Sequence, residues 1–199
     1  MRVALFGGTF DPPHRGHIAI ATAAADAFGL DRVLFAPTGQ QPLKSGFTAT
    51  PFTDRLAMTE LACAADPRFI VSMIDAPRSD GRPNYTVDTL AALREQLPTA
   101  TIYNLVGADS FLSLRHWHQP ERLLALAEWI VARRPGYSLY DLSGLHLTTT
   151  ERERVHLLEN VYEDVSATEV RLRLAAGEGF GGLLPAAVAD YIETRGLYR

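Results

Sequence analysis

At 199 residues, 47% of them hydrophobic and 21% charged, the chain has the composition of one soluble globular domain spanning 1–199, which excludes a disordered tail or a fibrous protein. Its net charge of -4, from 19 basic and 23 acidic residues, lacks the basic excess of a general nucleic-acid-binding surface. The single cysteine, Cys63, excludes an internal disulfide and fits a reducing compartment. Of the basic residues only Lys44 is a lysine, and the rest are arginine.

In chain order, residues 3–6 are a short apolar run that stops at Gly7 and Gly8 and reads as a buried strand. The run is too short for a signal-peptide core, and no small-residue cleavage site follows it. Residues 16–28, rich in Ala and Ile and closed by Gly29, read as a helix. Asp26 interrupts its apolar stretch well short of the ~20 residues a membrane span needs, so a cytoplasmic protein without membrane contact is expected. Residues 32–36 are a second buried strand closed by Pro37, and residues 38–49 a loop punctuated by Gly39, Pro42, Ser45 and Gly46. Thr50 before Pro51 predicts a cap and a helix to about residue 64. Residues 69–73 read as a third strand, 76–84 as a polar loop, 86–96 as a helix and 101–106 as a fourth strand ending at Gly107. Residues 129–132 form a fifth strand and 155–158 a sixth; residues 137–153 carry the weakest pattern. Helices over 168–176 and 185–194 close the chain.

Strands separated by helices predict βαβ units, and so an α/β fold with a doubly wound, mostly parallel sheet and C-terminal helices. Such sheets bind ligands beyond the carboxyl ends of their strands, where strand order reverses. The strongest chemical signal lies there. Gly7, Gly8, Thr9 and Phe10 follow the first strand, and His14 and His17 stand three residues apart at the start of the first helix. Two glycines let a phosphate or a base approach the backbone, and a helix start offers free N–H groups to an anion. No Gly-Lys-Ser/Thr and no Gly-x-Gly-x-x-Gly accompanies them, so neither a Walker loop nor a dinucleotide fingerprint is present. A zinc site would need a third ligand, and Cys63 is remote in sequence. A structural pair, one His capping the turn and the other solvated, is the remaining reading.

His14-Arg15-Gly16-His17 resembles the His-x-Gly-His signature of nucleotidyltransferases, enzymes that join a nucleotide to a phosphorylated acceptor and release pyrophosphate. The resemblance implies a Rossmann-like nucleotidyltransferase fold. Later segments narrow it: Tyr85-Thr86 opening a helix, Gly107-Ala108-Asp109-Ser110 after the fourth strand, Trp117, Arg133-Arg134 after the fifth strand, and Ser166-Ala167-Thr168 leading to Arg171. In this order they resemble the bacterial nicotinate-nucleotide adenylyltransferase family over nearly the whole chain. That family makes deamido-NAD from nicotinate mononucleotide and ATP, in NAD biosynthesis.

The resemblance implies His14, His17, Lys44 and Arg171 as the catalytic set. It places ATP against Gly7, Gly8, Thr9, Phe10, Gly107, Asp109, Ser166 and Thr168 as well. Nicotinate mononucleotide falls to Thr9, Lys44, Thr86, Asp109, Trp117, His118 and Arg134. Mg²⁺ is expected as the ATP counter-ion, held mainly by phosphate oxygens and water, with no dedicated metal site. No nucleic-acid partner is expected, and the sequence is compatible with a homo-oligomer.

Several of these residues carry a second reading. Trp117 is either a core aromatic or a stacking surface for the pyridine ring. Thr86 is also a natural N-cap, Asp109 could cap the helix after Gly107, and Arg133 could serve in place of Arg134. The chain departs from the family where Gln40-Gln41-Pro42-Leu43 precedes Lys44, where the family usually has Pro-Pro-His. It departs again at Ala167, where a second Ser is usual, at His118, often Tyr, and at Gly181-Gly182. The amidated mononucleotide stays open as the acceptor. Trp117 and Tyr85-Thr86 argue against phosphopantetheine, and His14, His17, Lys44 and Arg171 together argue against an inactive nucleotide-binding regulatory module.

Overall fold

The computed structural model describes residues 1–40, 49–133, 142–159, 161 and 165–198. Six strands, β1 (Arg2–Gly8), β2 (Arg32–Pro37), β3 (Phe69–Val71), β4 (Thr101–Gly107), β5 (Glu128–Ala132) and β6 (Val155–Leu158), form one sheet in the order β3-β2-β1-β4-β5-β6. Every pair in it is parallel. Strand β1 lies between β2, with Leu5 opposite Leu34, and β4, with Leu5 opposite Asn104, so strand order reverses at β1. This is the doubly wound sheet read from the sequence.

Helices α1 (Arg15–Phe28), α2 (Phe52–Cys63), α3 (Thr86–Gln96), α4 (Ala108–Leu112), α5 (Pro120–Leu126), α6 (Thr149–Glu153), α7 (Ala167–Ala175) and α8 (Ala186–Arg195) accompany the sheet. The central strands are buried on both faces, as parallel strands normally are. On one face Leu5, Ile102, Val106 and Trp129 pack with Val87, Leu90 and Leu93 of α3 and Leu123 and Leu124 of α5. On the other, Ala4, Phe35, Tyr103 and Leu105 pack with Ala21, Ala24 and Ala25 of α1. A third cluster joins Met58 and Ala62 of α2 to Val170 of α7 and to Val188 and Ile192 of α8. It fixes the C-terminal helices against the body of the protein. Among the described residues no helix is long and apolar enough to cross a membrane.

Gly29 ends α1 in the left-handed conformation at φ 55°, as its position after the apolar run predicts. Other boundaries differ from the sequence reading. Strand β3 stops at Val71, not residue 73. Pro51 rather than Thr50 is the N-cap of α2. The Thr50 N–H instead donates to Asp11 Oδ2 at 3.1 Å, and its carbonyl accepts from Arg55 Nε at 2.9 Å. Tyr85 rather than Thr86 is the N-cap of α3, and no side chain caps that helix. Helices α5 and α6, which the sequence pattern does not announce, carry start signals: Pro120 in the first turn of α5, and the reciprocal Thr148–Glu151 bonds of α6. Cys63 is buried, and burial pushes its thiol up to about 12, so it is inert at neutral pH.

The loop after β2 is seated by a close backbone approach. Gly39 N–H donates to the Asp75 carbonyl at 2.8 Å, and a Cβ at Gly39 would meet the Pro77 nitrogen at 2.4 Å. Beside it Asn84 Oδ1 accepts from Gln40 N–H at 3.0 Å, while Asn84 Nδ2 donates to the Ala76 carbonyl at 2.9 Å. The obstacle is backbone, which cannot rotate aside. Gly39→Ala is therefore expected to cost about 1–3 kcal/mol in denaturant unfolding; an unchanged midpoint would show that the contact is not made.

Candidate active site

A cleft of about 650 Å³ opens beyond the carboxyl ends of β1, β4 and β5, at the reversal of strand order. The turn between β1 and α1 brings Gly7, Gly8, Thr9, Phe10, His14 and His17 to its wall. The start of α3 brings Thr86, and the end of β4 brings Gly107 and Asp109. Trp117 and His118 precede α5, and Ser166, Thr168 and Arg171 come from the start of α7. Lys44 and Arg134 lie outside the described residues. Arg133 is exposed and lines the cleft.

The spacing of the histidine motif has a direct steric meaning. His14 is the N-cap of α1, and its backbone N–H donates to His17 Nδ1 at 3.2 Å. That bond makes Nδ1 an acceptor, so Nε2 carries the proton in the neutral ring. The two rings stack at 3.7 Å between centroids. Gly16 makes room for them, since a Cβ there would lie 3.1 Å from His14 Nδ1. His17 thus takes part in capping its own helix start, and both histidines line the cleft. Phe10 supports His17 from below: its ring, 2% exposed, meets the imidazole edge-on at 4.9 Å. Phe10 takes φ 47°, a strained value for a side chain that is not glycine, and its ring lies where a Gly8 Cβ would be only 3.2 Å away. The ring's burial offsets the strain.

The opposite side is built around α3 and the segment before α5. The Trp117 indole is half-buried; its Nε1 donates to Ser113 Oγ at 3.1 Å, and its edge rests against Trp129. These two contacts hold it in place, and it lines the cleft. His118 packs on Tyr85 at 4.4 Å. The N-cap of α4 is Gly107, and Asp109 stands in its first turn. A Cβ on Gly107 would sit 2.7 Å from Asp109 Oδ1, so the glycine leaves space for the carboxylate.

Arg171 is the fifth residue of α7, in its second turn rather than its first. Its Nη1 donates to the Asp11 carbonyl at 2.7 Å and its Nη2 to Thr168 Oγ1 at 3.2 Å, which fixes the guanidinium at the cleft edge. Ser166 caps α7 by accepting from Glu169 N–H at 3.1 Å.

Other residues of the site were not singled out from sequence. Asp11, 2% exposed, accepts from Tyr198 at Oδ1 and from Thr50 at Oδ2. Arg55, also buried, donates to the Thr9 carbonyl at 2.7 Å and feels the Asp11 charge. The turn is thereby tied to α2, α7 and the end of the chain. Burial pushes the Asp75 carboxyl above its ordinary value, opposed by donation from Thr38 and Thr89. The Asp11 acid could have been suspected from its place in the turn, but its Tyr198 partner, 187 residues away, leaves no local signal. Tyr198→Phe removes one donor from a buried carboxylate and is expected to cost about 1–3 kcal/mol in thermal or denaturant unfolding; unchanged stability would contradict the bond.

The chain was compared with known proteins. The cytidylyltransferase-like family matches residues 5–173. A probable nicotinate-nucleotide adenylyltransferase of Roseiflexus sp. is 43% identical over 198 residues, covering 99% of this chain and 98% of the relative. A protein of the same description from Saccharopolyspora erythraea is 41% identical, covering 100% and 90%. The solved structure of Plasmodium falciparum nicotinic acid mononucleotide adenylyltransferase complexed with NaAD superposes with a TM-score of 0.82 over 99% of this chain and 97% of that one, at 18% identity, and so supports the fold. With the His-x-Gly-His turn at the reversal of a wholly parallel sheet, and relatives this similar over nine-tenths or more of their lengths, the chain belongs to the nicotinate-nucleotide adenylyltransferase family of cytidylyltransferase-like enzymes.

Proposed function

We propose that this enzyme, acting in the cytoplasm as one nucleotidyltransferase domain over residues 1–199, transfers AMP from ATP to nicotinate mononucleotide. The products are deamido-NAD and pyrophosphate. The observation that carries the reading is the division of one cleft into two unlike halves: imidazoles, a fixed guanidinium and two helix starts on the α1 and α7 side, an indole and the start of α3 on the other.

The acceptor's phosphate is already an anionic nucleophile, so the chain has to position and neutralise more than it has to activate. A phosphate oxygen of the mononucleotide attacks the α-phosphorus of ATP. A new P–O bond forms, the bond from the α-phosphorus to the bridging oxygen breaks, and pyrophosphate leaves with that electron pair. His14 and His17 hold the α-phosphate side, with His17 Nε2 donating. Arg171, Thr168 and the free N–H groups at the start of α7 hold the β- and γ-phosphates. Asp109 accepts from a ribose hydroxyl, and Gly7, Gly8 and Thr9 let the nucleotide lie against the backbone. Trp117 carries the pyridine ring, and the first N–H groups of α3 at Thr86 seat its carboxylate, with His118 alongside. Lys44 and Arg134 bind the phosphates of the reaction and of the mononucleotide, and Arg133 shares the second role.

Among the described residues no three His, Cys, Asp or Glu side chains gather as a metal cage would require. The donor set fits Mg²⁺ carried on phosphate oxygens and water. When bound with ATP, the ion neutralises part of the phosphate charge.

Pyrophosphate release with ATP and either mononucleotide tests the reaction. Turnover with the nicotinate form above the nicotinamide form is expected; release with neither, or preference for the amide, overturns the reading. His17→Ala should lower turnover on the order of 10²-fold or more, and near-wild-type turnover would remove His17 from the chemistry. Lys44→Arg should impair turnover far more than Arg32→Lys at the opposite end of β2, because a compact ammonium can follow phosphate oxygens where a planar fork cannot. Equal effects would contradict that role.

A further inference from the structure

Asn104 lines the cleft and has no part in this mechanism. Asn104 sits in the middle of β4, 2% exposed, between Leu5 of β1 and Trp129 of β5. Side chains alternate along a strand, and on β4 Ile102 and Val106 pack beneath α3 and α5 while Tyr103 and Leu105 pack beneath α1. Asn104 has the parity of Ile102 and Val106, so its amide is directed to the α3 and α5 face, where it lines the cleft.

Asn104 Nδ2 is buried and has no hydrogen-bond partner among the described residues. Its register neighbour Trp129, fully buried on the same face, has an Nε1 in the same condition. Neither N–H donor therefore finds an acceptor among the described residues. Central strands of parallel sheets are ordinarily apolar, and a buried unsatisfied donor is costly to keep. Trp129 does not line the cleft and Asn104 does, so an acceptor can reach Asn104 from the ligand side.

We propose that Asn104 is a specificity-determining residue for the acceptor: its amide N–H donates to an oxygen of the pyridine mononucleotide bound in the α3 half of the cleft. The proposal rests on the assignment of that half to the mononucleotide through Thr86 and Trp117. The ATP phosphates are assigned to the α1 and α7 side. A donor at this point favours an oxygen acceptor on the ring or ribose.

Two variants test it. Asn104→Leu keeps the size and removes the donor, whereas Asn104→Asp leaves acceptors only and adds negative charge. Each is measured for KM of nicotinate mononucleotide and of ATP, with mononucleotide binding also measured by calorimetry without turnover and folding checked by thermal melting. Asn104→Leu is expected to weaken mononucleotide binding about tenfold, the loss of one hydrogen bond, with KM for ATP within about twofold of wild type. Asn104→Asp should weaken it further, through repulsion of an anionic ligand. Leucine is also expected to raise the melting temperature, because it relieves a buried unpaired amide. Unchanged mononucleotide binding in a folded Asn104→Leu protein overturns the proposal, as does an equal rise in both KM values. Wild-type protein that turns over neither mononucleotide would instead overturn the proposed reaction, so the two failures are distinguishable.

Discussion

The reversal of strand order at β1 is the constraint on which the rest of the molecule depends. The chain leaves β1 through α1 on one face of the sheet and comes back to its other side, at β4, through α3 on the opposite face. Both helices therefore begin near the same gap, from opposite sides. A helix start carries unsatisfied N–H groups and partial positive charge, so the topology alone sets two anion-favouring ends around one cleft before any side chain is chosen. The start of α7 adds a third. An overall net charge of -4 is compatible with two anionic ligands for this reason: helix starts, with Arg133 and Arg171, bring positive charge locally to the cleft.

The side chains sharpen what the topology offers by being fixed before a ligand arrives. Gly16 lets His14 lie against its own helix start, and the His14 N–H in turn sets which nitrogen of His17 faces outward. Arg171 is held by the Asp11 carbonyl and Thr168. Asp11 is held by Thr50 and Tyr198, and Arg55 clamps the carbonyls of Thr9 and Thr50. The strained Phe10 backbone persists because this surrounding network and the burial of its ring over-determine it. Preorganisation of this kind is what a reaction with an already competent nucleophile requires.

The parts of this arrangement legible in the sequence are those with a local cause. Six strands announce themselves as short apolar runs, β1 and β4 closed by glycine and β2 by Pro37, and the histidine turn by its glycines and its place after the first strand. The C-cap at Gly29 follows from the same local chemistry. At Thr50 and Thr86 the N-cap falls one residue away, at Pro51 and Tyr85, and Thr50 is claimed by the distant Asp11 and Arg55. Short helices α5 and α6 escaped because too few turns exist for a periodic pattern, although Pro120 and the Thr148–Glu151 pair mark their starts. Asp75, Asn84 and Asn104 matter through partners, or missing partners, that only the assembled sheet brings together.

The central claim is that one cleft holds two nucleotides with a fixed polarity. A crystal structure of the protein with nicotinate mononucleotide and a non-hydrolysable ATP analogue tests it most directly. The account predicts the triphosphate against His14, His17, Thr168 and Arg171, and the pyridine ring on Trp117 with its carboxylate at the start of α3. A pyridine ring found on the α1 and α7 side, or a triphosphate bound without contact to His17 and Arg171, would contradict it.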